Sequence, residues 1–541
     1  MRQCFLLLLF ALAACSKPAP STQLQLDSVY PSQSGGVLVD AMIAEPSGLI
    51  PMIAAESASS AIASHIFNSL LRYDKNLELE GDLAKSWDIS KDQKTITFHL
   101  KPDLKWADGK PLTSADALFT WQLVTDEKTR TPYASDFKLV IKAEAPDPLT
   151  FRVNYAQPYA PALDSWSGLQ VMPEHLLKGQ DINTTSFARK PVGSNYYRLA
   201  EWKNGESLVL SANPLATQGV PKIDKLVTRI IPDPAAQFLE LMADNIDVMN
   251  LDPIQYSRIV PARTELKQKI ALYKELGNGY TYLGFNLKHA PFDDKRVRQA
   301  INYAIDKQEL IDGVLLGLGE PIASPYKPGT RWVNPQLKPY PYDPAKARQL
   351  LKEAGFVDHD ADGTLVKDGK PLAFEILLNQ NKERITSAVL IQRRLKEIGI
   401  KVTIRQLEWA SFLGRIKSSD FDVVILGWSL SLDPDQFSIW HSSQNHPGQF
   451  NFINYNNPKV DKLLEQGRLE LNPDKRMKIY HEFSRLLLED SPIVYLFEGY
   501  GLPAIHKRIR GIDNPAPPAG IGWNSQDWYI PEPLRRKEIA P

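Results

Sequence analysis

Residues 426–443 read LGWSLSLDPDQFSIWHSS and follow the apolar run Phe421-Asp422-Val423-Val424-Ile425. A tryptophan (Trp428), two hydroxyls (Ser429, Ser431) and two carboxylates (Asp433, Asp435) behind a buried strand could serve as a hydrolase acid pair, a metal site or a ligand clamp. A hydrolase would use Asp433 and Asp435 as general acid and base, which requires one of them to be held protonated near neutrality. The simpler reading makes Asp433-Pro434 the start of a turn and Asp435 the cap of QFSIWH. Trp428, Ser429 and Ser431 then remain as a flat wall with a hydrogen-bonding edge.

Other catalytic spacings are missing. The chain has no G-x-S-x-G, H-E-x-x-H, P-loop, G-x-G-x-x-G or C-x-x-C. In HEFSR (481–485) the second zinc histidine is replaced by Arg485. DHDADGTLVKDG (358–369) places Asp358, Asp360, Asp362 and Gly363 at positions 1, 3, 5 and 6 of a calcium loop. Position 12 is Gly369, and a strand follows where an EF-hand needs a helix, so an Asx-rich turn is the leading reading and calcium the alternative. His65, His99, His441 and His446 are scattered, with His441 and His446 around SSQN the pair closest to a metal spacing.

The elements that would position these residues alternate along the chain. KTITFHL (94–100) and LTFRVNY (149–155) predict strands. Thr113 and Asp116 cap a helix in TSADALFTWQLV, and a hairpin turns at Asn204-Gly205. Helical spacing runs through 293–317, and Asp343, Pro344 and Gly355 bracket a helix over 342–356. Next come a strand at 372–378, a helix at 382–398 stopped by Gly399, the strand IKVTIRQL, a short helix at 410–417 and the strand FDVVIL. Two amphipathic helices near 458–470 and 473–490 precede the strand IVYLF (493–497). This alternation implies an α/β domain with a largely parallel sheet. Ligands of such sheets bind at the carboxyl ends of the strands, which brings the loop NQNKE, with Asn379, and the loop GWSLSLDPDQ, with Trp428, to one cleft.

Composition narrows the class. Among 541 residues, 63 basic and 63 acidic side chains cancel, so no net field draws the protein to nucleic acid. MRQCFLLLLFALAAC has the shape of an export leader (1–14), and LAAC (12–15) matches a lipobox that would make Cys15 the lipidated residue of a bacterial membrane anchor facing the periplasm or cell exterior. Polar, Pro-rich 15–26 reads as a flexible tether. With Cys4 removed, Cys15 is the one cysteine left, so no disulfide supports the fold.

Five stretches carry a resemblance over about 37–530: FNSLLRYDKNLELEGDLAKSWDIS, TITFHLKPDLKWADGKPLTSADALFTWQLV, PVGSNYYRLAEWKNGESLVLSAN, LGFNLKHAPFDDKRVRQAINYAIDKQELI and YDPAKARQLLKEAGF. In this order and spacing the chain resembles the family 5 extracellular solute-binding proteins, receptors of ABC importers for peptides and, in some members, nickel complexes or oligosaccharides. The resemblance implies an α/β, two-lobed periplasmic-binding-protein fold (type II, cluster C-like) with an extra inserted domain. Lobe I would comprise 27–66, 190–285 and 507–541, the inserted domain 67–189 and lobe III 286–506. It implies a monomeric receptor without cofactor or catalysis, whose partners are a peptide ligand and a membrane permease. By the same resemblance, Glu56 and Ser57 in AESAS, Tyr133 in TPYAS, Trp409 in LEWASF and the stretch 428–431 would line the site. Several peptide binders of the family carry an Asp three residues after the strand-end Trp, where it pairs with the peptide ammonium; here that position is Ser431. Asp433 or Glu56 would then take the ammonium, or the cargo has none there, which leaves oligosaccharides open.

Overall fold

The structure is a computed structural model that describes residues 32–536. The leader 1–14, the lipidation candidate Cys15 and the tether 15–26 lie outside the described residues. No helix among the described residues is long and apolar enough to cross a membrane.

Two mixed sheets dominate. The first runs, in spatial order, Ile270–Leu272, Pro503–His506, Val248–Asn250, Val37–Met42, Lys225–Ile230, Ser207–Ala212 and Tyr197–Lys203. The second runs Glu275–Leu276, Ile493–Gly501, Gly279–Phe285, Val423–Ser429, Ala373–Leu378 and Lys401–Gln406, with Gly319–Glu320 added against Ile493–Gly501. A separate antiparallel sheet of Ala84–Ile89, Thr95–Leu100, Thr150–Tyr155 and Val140–Asp147 lies within 67–189.

The second sheet corrects the expectation of a largely parallel one. Ala373–Leu378 is parallel to Lys401–Gln406 and to Val423–Ser429, as βαβ connections require. Gly279–Phe285, however, is antiparallel to both Val423–Ser429 and Ile493–Gly501. Gly279–Phe285 and Ile493–Gly501 adjoin the points where the chain crosses between the sheets: Leu272 belongs to the first sheet and Glu275 to the second, Gly501 to the second and Pro503 to the first. The crossings therefore fall earlier than the lobe limits at 285 and 506 expected from the sequence.

Both faces of this sheet are covered, which is why its strands read as continuous apolar runs. Leu283, Phe285, Val423, Ile425, Val494 and Leu496 join one core, and Tyr280, Tyr282, Val424, Leu426 and Tyr495 join another on the opposite face. The helix expected over 293–317 is broken into Lys295–Ala304 and Lys307–Gly313, because the Asp306 carboxylate accepts from the Glu309 N–H and starts a new helix where the apolar period continues. The antiparallel domain shares its core with the first lobe: Phe98, Phe151 and Trp166 pack in one cluster with Ile62, Ile66 and Leu208. Gly193 seals this junction, since a Cβ there would lie 1.9 Å from the Ile66 carbonyl oxygen.

Candidate ligand-binding cleft

The carboxyl ends of the parallel strands converge as the strand-end argument requires. Asn379 follows Ala373–Leu378, and Trp409 opens the helix Trp409–Lys417, whose N–H groups are capped by the Glu408 carboxylate. Trp428 and Ser429 lie within the strand Val423–Ser429, opposite Tyr280 and Gly279, instead of on the loop expected from the sequence. The strand runs past its apolar part because Gly279 lets the backbones meet; a Cβ there would fall 2.3 Å from the Trp428 carbonyl oxygen. Asn278 then donates to the Leu430 and Ser431 carbonyls at 2.9 and 2.6 Å, which fixes the exit of the loop. Ser429 and Ser431 are exposed, and the Ser431 hydroxyl donates to the Asp433 carbonyl at 3.1 Å.

Trp428 anchors an aromatic path that crosses between domains. It lies parallel to Tyr282 and Phe452, with centroids at 6.5 and 5.7 Å, and edge-on to Phe450 at 5.3 Å. Phe450 meets Tyr133 of the inserted domain at 5.7 Å, and next to it Gln449 donates to the Thr131 carbonyl at 3.0 Å. Tyr133 in turn lies near Glu56 of the first lobe: burial, with the Asp136 and Glu56 charges, holds its phenol well above the ordinary range. One Glu56 oxygen accepts from the Ser47 N–H at 3.0 Å and from the Ser59 hydroxyl; the other is buried without a partner. Ser57 is exposed in the first turn of Ser57–Ile66. Trp409 stacks on Phe412, and its indole N–H is buried without an acceptor.

The two aspartates are used differently from either functional expectation. Asp433 receives both prongs of the Arg476 guanidinium at 2.6 Å and also accepts from the Asp435 N–H at 2.9 Å. Asp435 accepts from Arg468 at 2.8 Å and caps Phe437 at 3.2 Å. Both carboxylates are engaged by buried arginines, Asp433 through both oxygens. The turn reading holds, with two buried arginines added. Asp433→Asn is therefore expected to lower stability by about 2 kcal/mol through the weakened Arg476 contact. Chemical denaturation measures that loss. Equal affinity of the variant and the wild-type protein for peptides with free and acetylated N-termini completes the expected result.

The metal alternatives do not assemble. Asp358 and His359 pair with Leu365 and Val366 in a short hairpin, the Asp360 carboxylate accepts from the Asp362 and Thr364 N–H groups, and Asp362 faces Lys401 at 3.2 Å. This is the Asx turn of the leading reading. His441 stacks on Phe437 and bonds the Ser443 hydroxyl, whereas His446 is exposed. Among the described residues no group of three His, Cys, Asp or Glu side chains could hold a metal ion.

Sequence reasoning missed two ionisable side chains that burial leaves poorly paired. Arg384, in the first turn of Lys382–Lys396, donates to the Asn379 side-chain oxygen at 3.0 Å and has no carboxylate partner among the described residues. Its guanidinium reaches to 3.1 Å from where a Cβ on Gly427 would sit, and burial lowers its pKa. An arginine at a helix N-terminus opposes the helix field, a signal that was legible in NKERI. Glu498, on Ile493–Gly501, is buried with one carboxylate oxygen unpartnered.

Residues 78–449 match the family described as bacterial extracellular solute-binding proteins, family 5 Middle. The oligopeptide-binding protein AppA of Bacillus subtilis (strain 168) is 31% identical over 544 residues, covering 98% of this chain and 98% of its own. Its structure with a nonapeptide superposes with a TM-score of 0.87 at 28% identity, over 92% of this chain and 99% of that one. NikZ of Campylobacter jejuni with Ni(L-His) gives a TM-score of 0.82 at 30% identity, over 91% and 99%. DppA of Helicobacter pylori with the peptide STSA gives 0.83 at 25% identity, over 93% and 99%.

Proposed function

Because the chain belongs to the family 5 extracellular solute-binding proteins, we propose that it is the peptide-capturing receptor of an ABC importer. It binds oligopeptides outside the cytoplasmic membrane and passes them to a permease, anchored by a lipid on Cys15 and without catalytic turnover. The observation that carries this reading is the aromatic path Trp428–Phe450–Tyr133, which runs from a strand end of the second sheet onto the inserted domain beside exposed Ser429. An extended chain lying there is read by backbone hydrogen bonds at the strand end and walled by flat side chains, so it is held tightly with little sequence preference. Glu56, Ser57, Asn379, Trp409 and Ser431 complete the lining in this reading, and unpaired Arg384 suits a cargo that carries a carboxylate. The peptide-bound relatives support the cargo class.

Native mass spectrometry of protein purified without denaturation tests this. The expected result is mass increments that fragment as short peptides, with binding that raises thermal stability as peptide is added. A retained hexose series, or continuous turnover of added peptide, would overturn it.

A further inference from the structure

The inserted domain and the lobe built on the second sheet meet through charges instead of a shared core. The inserted domain belongs to one hydrophobic cluster with the first lobe, and no residue of that cluster recurs in the two clusters of the second sheet. The chain passes between the two large sheets at 272–275 and 501–503. Two bodies joined by short crossings can part on the far side by a hinge motion without breaking either core.

Four carboxylates and two guanidiniums fill the contact. Asp136 and Asp164 come from the inserted domain; Asp433, Asp435, Arg468 and Arg476 come from the facing lobe. Arg468 bridges Asp136 and Asp435 at 2.6 and 2.7 Å, and Arg476 pairs with Asp433 at 2.6 Å. Half-buried Asp164 has no cation within ion-pair distance among the described residues. It accepts from the Tyr73 phenol at 2.5 Å and lies against Asp433, whose charge and backbone N–H both act on it, with Asp136 also near. The phenols of Tyr133 and Tyr159 face Asp136. Beside them the Ala160 N–H donates to the Arg468 carbonyl at 2.8 Å, a backbone bond across the same contact.

With all four acids ionised, the acids outnumber the cations that meet them. Acids crowded together away from water favour their neutral form. Burial, helped by Asp433, pushes Asp164 up to about 7, and burial pushes Asp136 up to about 6 against the pull of Arg468. Parting the domains returns water to both carboxyls and draws them back towards the ordinary 3.8. The joined form therefore holds more protons between about pH 4 and 7. Its advantage is complete below that window and is lost as pH rises through it.

We propose that this contact is a proton-linked clasp, in which the inserted domain and the facing lobe close over the cargo as Asp164 and Asp136 take up protons from solvent, and open as they lose them. This rests on the receptor reading above, in which the cargo lies between Tyr133 on one side and Trp428 on the other.

Hydrogen–deuterium exchange of the unliganded protein reads the contact at Ala160, as a protection factor corrected for intrinsic exchange at about pH 5.5 and pH 8. The expected result is about tenfold higher protection at the lower pH in wild-type protein. In Asp164→Asn, which is neutral at every pH, protection at the higher pH should rise towards the low-pH wild-type value, and the response to pH should shrink. Equal protection at both pH values in wild-type protein overturns the clasp, whatever the variant does. Protection at Ala160 as high as in the core strand Val423–Ser429 also overturns it, because the contact then parts only when the chain unfolds. Calorimetry reads the link to cargo with an acetylated hexapeptide of alanine and glycine, whose free carboxyl end does not titrate in this window. Affinity about tenfold tighter at the lower pH, and levelled in Asp164→Asn, upholds the link; affinities equal at both pH values in wild-type protein overturn it. If wild-type protein binds neither this peptide nor its free-amine form, the receptor reading falls, and exchange at Ala160 decides the clasp alone.

Discussion

Arg468→Ala is expected to destabilise the folded chain by about 3–5 kcal/mol, the cost of removing the cation from a buried charge cluster and leaving its acids behind. Arg468 contacts Asp136 of the inserted domain at 2.6 Å and Asp435 of its own lobe at 2.7 Å, and donates to the Ser135 carbonyl at 2.9 Å. Its side chain is 7% exposed. One guanidinium thus joins two domains, and its loss leaves two neighbouring carboxylates with no shared partner. Denaturant unfolding of wild type and variant measures the difference. A change below about 1 kcal/mol, the range of exposed ion pairs, would sink the claim that the cluster is buried in solution. Arg468→Lys, which keeps the charge without the planar fork, should recover only part of the loss.

The same cluster gives a pH dependence with a definite sign. Burial pushes Asp136 up to about 6 against the pull of Arg468, and burial with the nearby Asp433 pushes Asp164 up to about 7. Both are raised above the ordinary 3.8. The folded state therefore holds more protons than the unfolded chain between about pH 4 and 7, and stability falls as pH rises through that window. The contribution is complete below pH 4 and gone above 7. In Arg468→Ala the decline across this window should be steeper, because Asp136 loses its opposing cation.

What could be read beforehand and what could not divides along the distance over which each interaction acts. The capping box at Thr113 and Asp116, the cap at Asp343 and the stop at Gly399 are local, and each appears where expected. Trp428 was legible as a strand-end residue, where ligands of such sheets collect. Its place within the strand was not, because that depends on Gly279 in a strand reached only after the chain crosses between lobes. Asp433 and Asp435 could be recognised as turn residues from Asp433-Pro434-Asp435 alone. Their ion pairs could not, since Arg476 lies 43 positions away and Arg468 33. The calcium-like spacing misled for the opposite reason: carboxylates at alternate positions also suit an Asx turn, and only the hairpin around Asp360 distinguishes the two.

Arg384→Gln should separate affinity from stability in opposite directions. The Arg384 guanidinium is desolvated, has one side-chain hydrogen bond and no acid partner among the described residues, and sits in the first turn of a 15-residue helix whose N-terminal field repels it. A cation kept in such a place weakens the unliganded fold, so replacing it with neutral glutamine is expected to raise stability by about 1 kcal/mol. Binding should respond the other way. A ligand carboxylate brought against Arg384 gains a charge-assisted bond worth about 1.5–3 kcal/mol, so a peptide with a free C-terminus should bind the variant roughly 10- to 100-fold more weakly. A peptide with an amidated C-terminus and no acidic side chain should bind both proteins alike. Calorimetry on the peptide pair, with denaturation of the unliganded proteins, provides both readings. If the variant loses stability while its affinity for the free acid is unchanged, Arg384 supports the fold through Asn379 instead of receiving the cargo. If both peptides lose affinity equally, it acts by shaping the loop at 379–383. Loss confined to the free acid, with a more stable unliganded protein, is the signature of a charge held unpaired for a ligand.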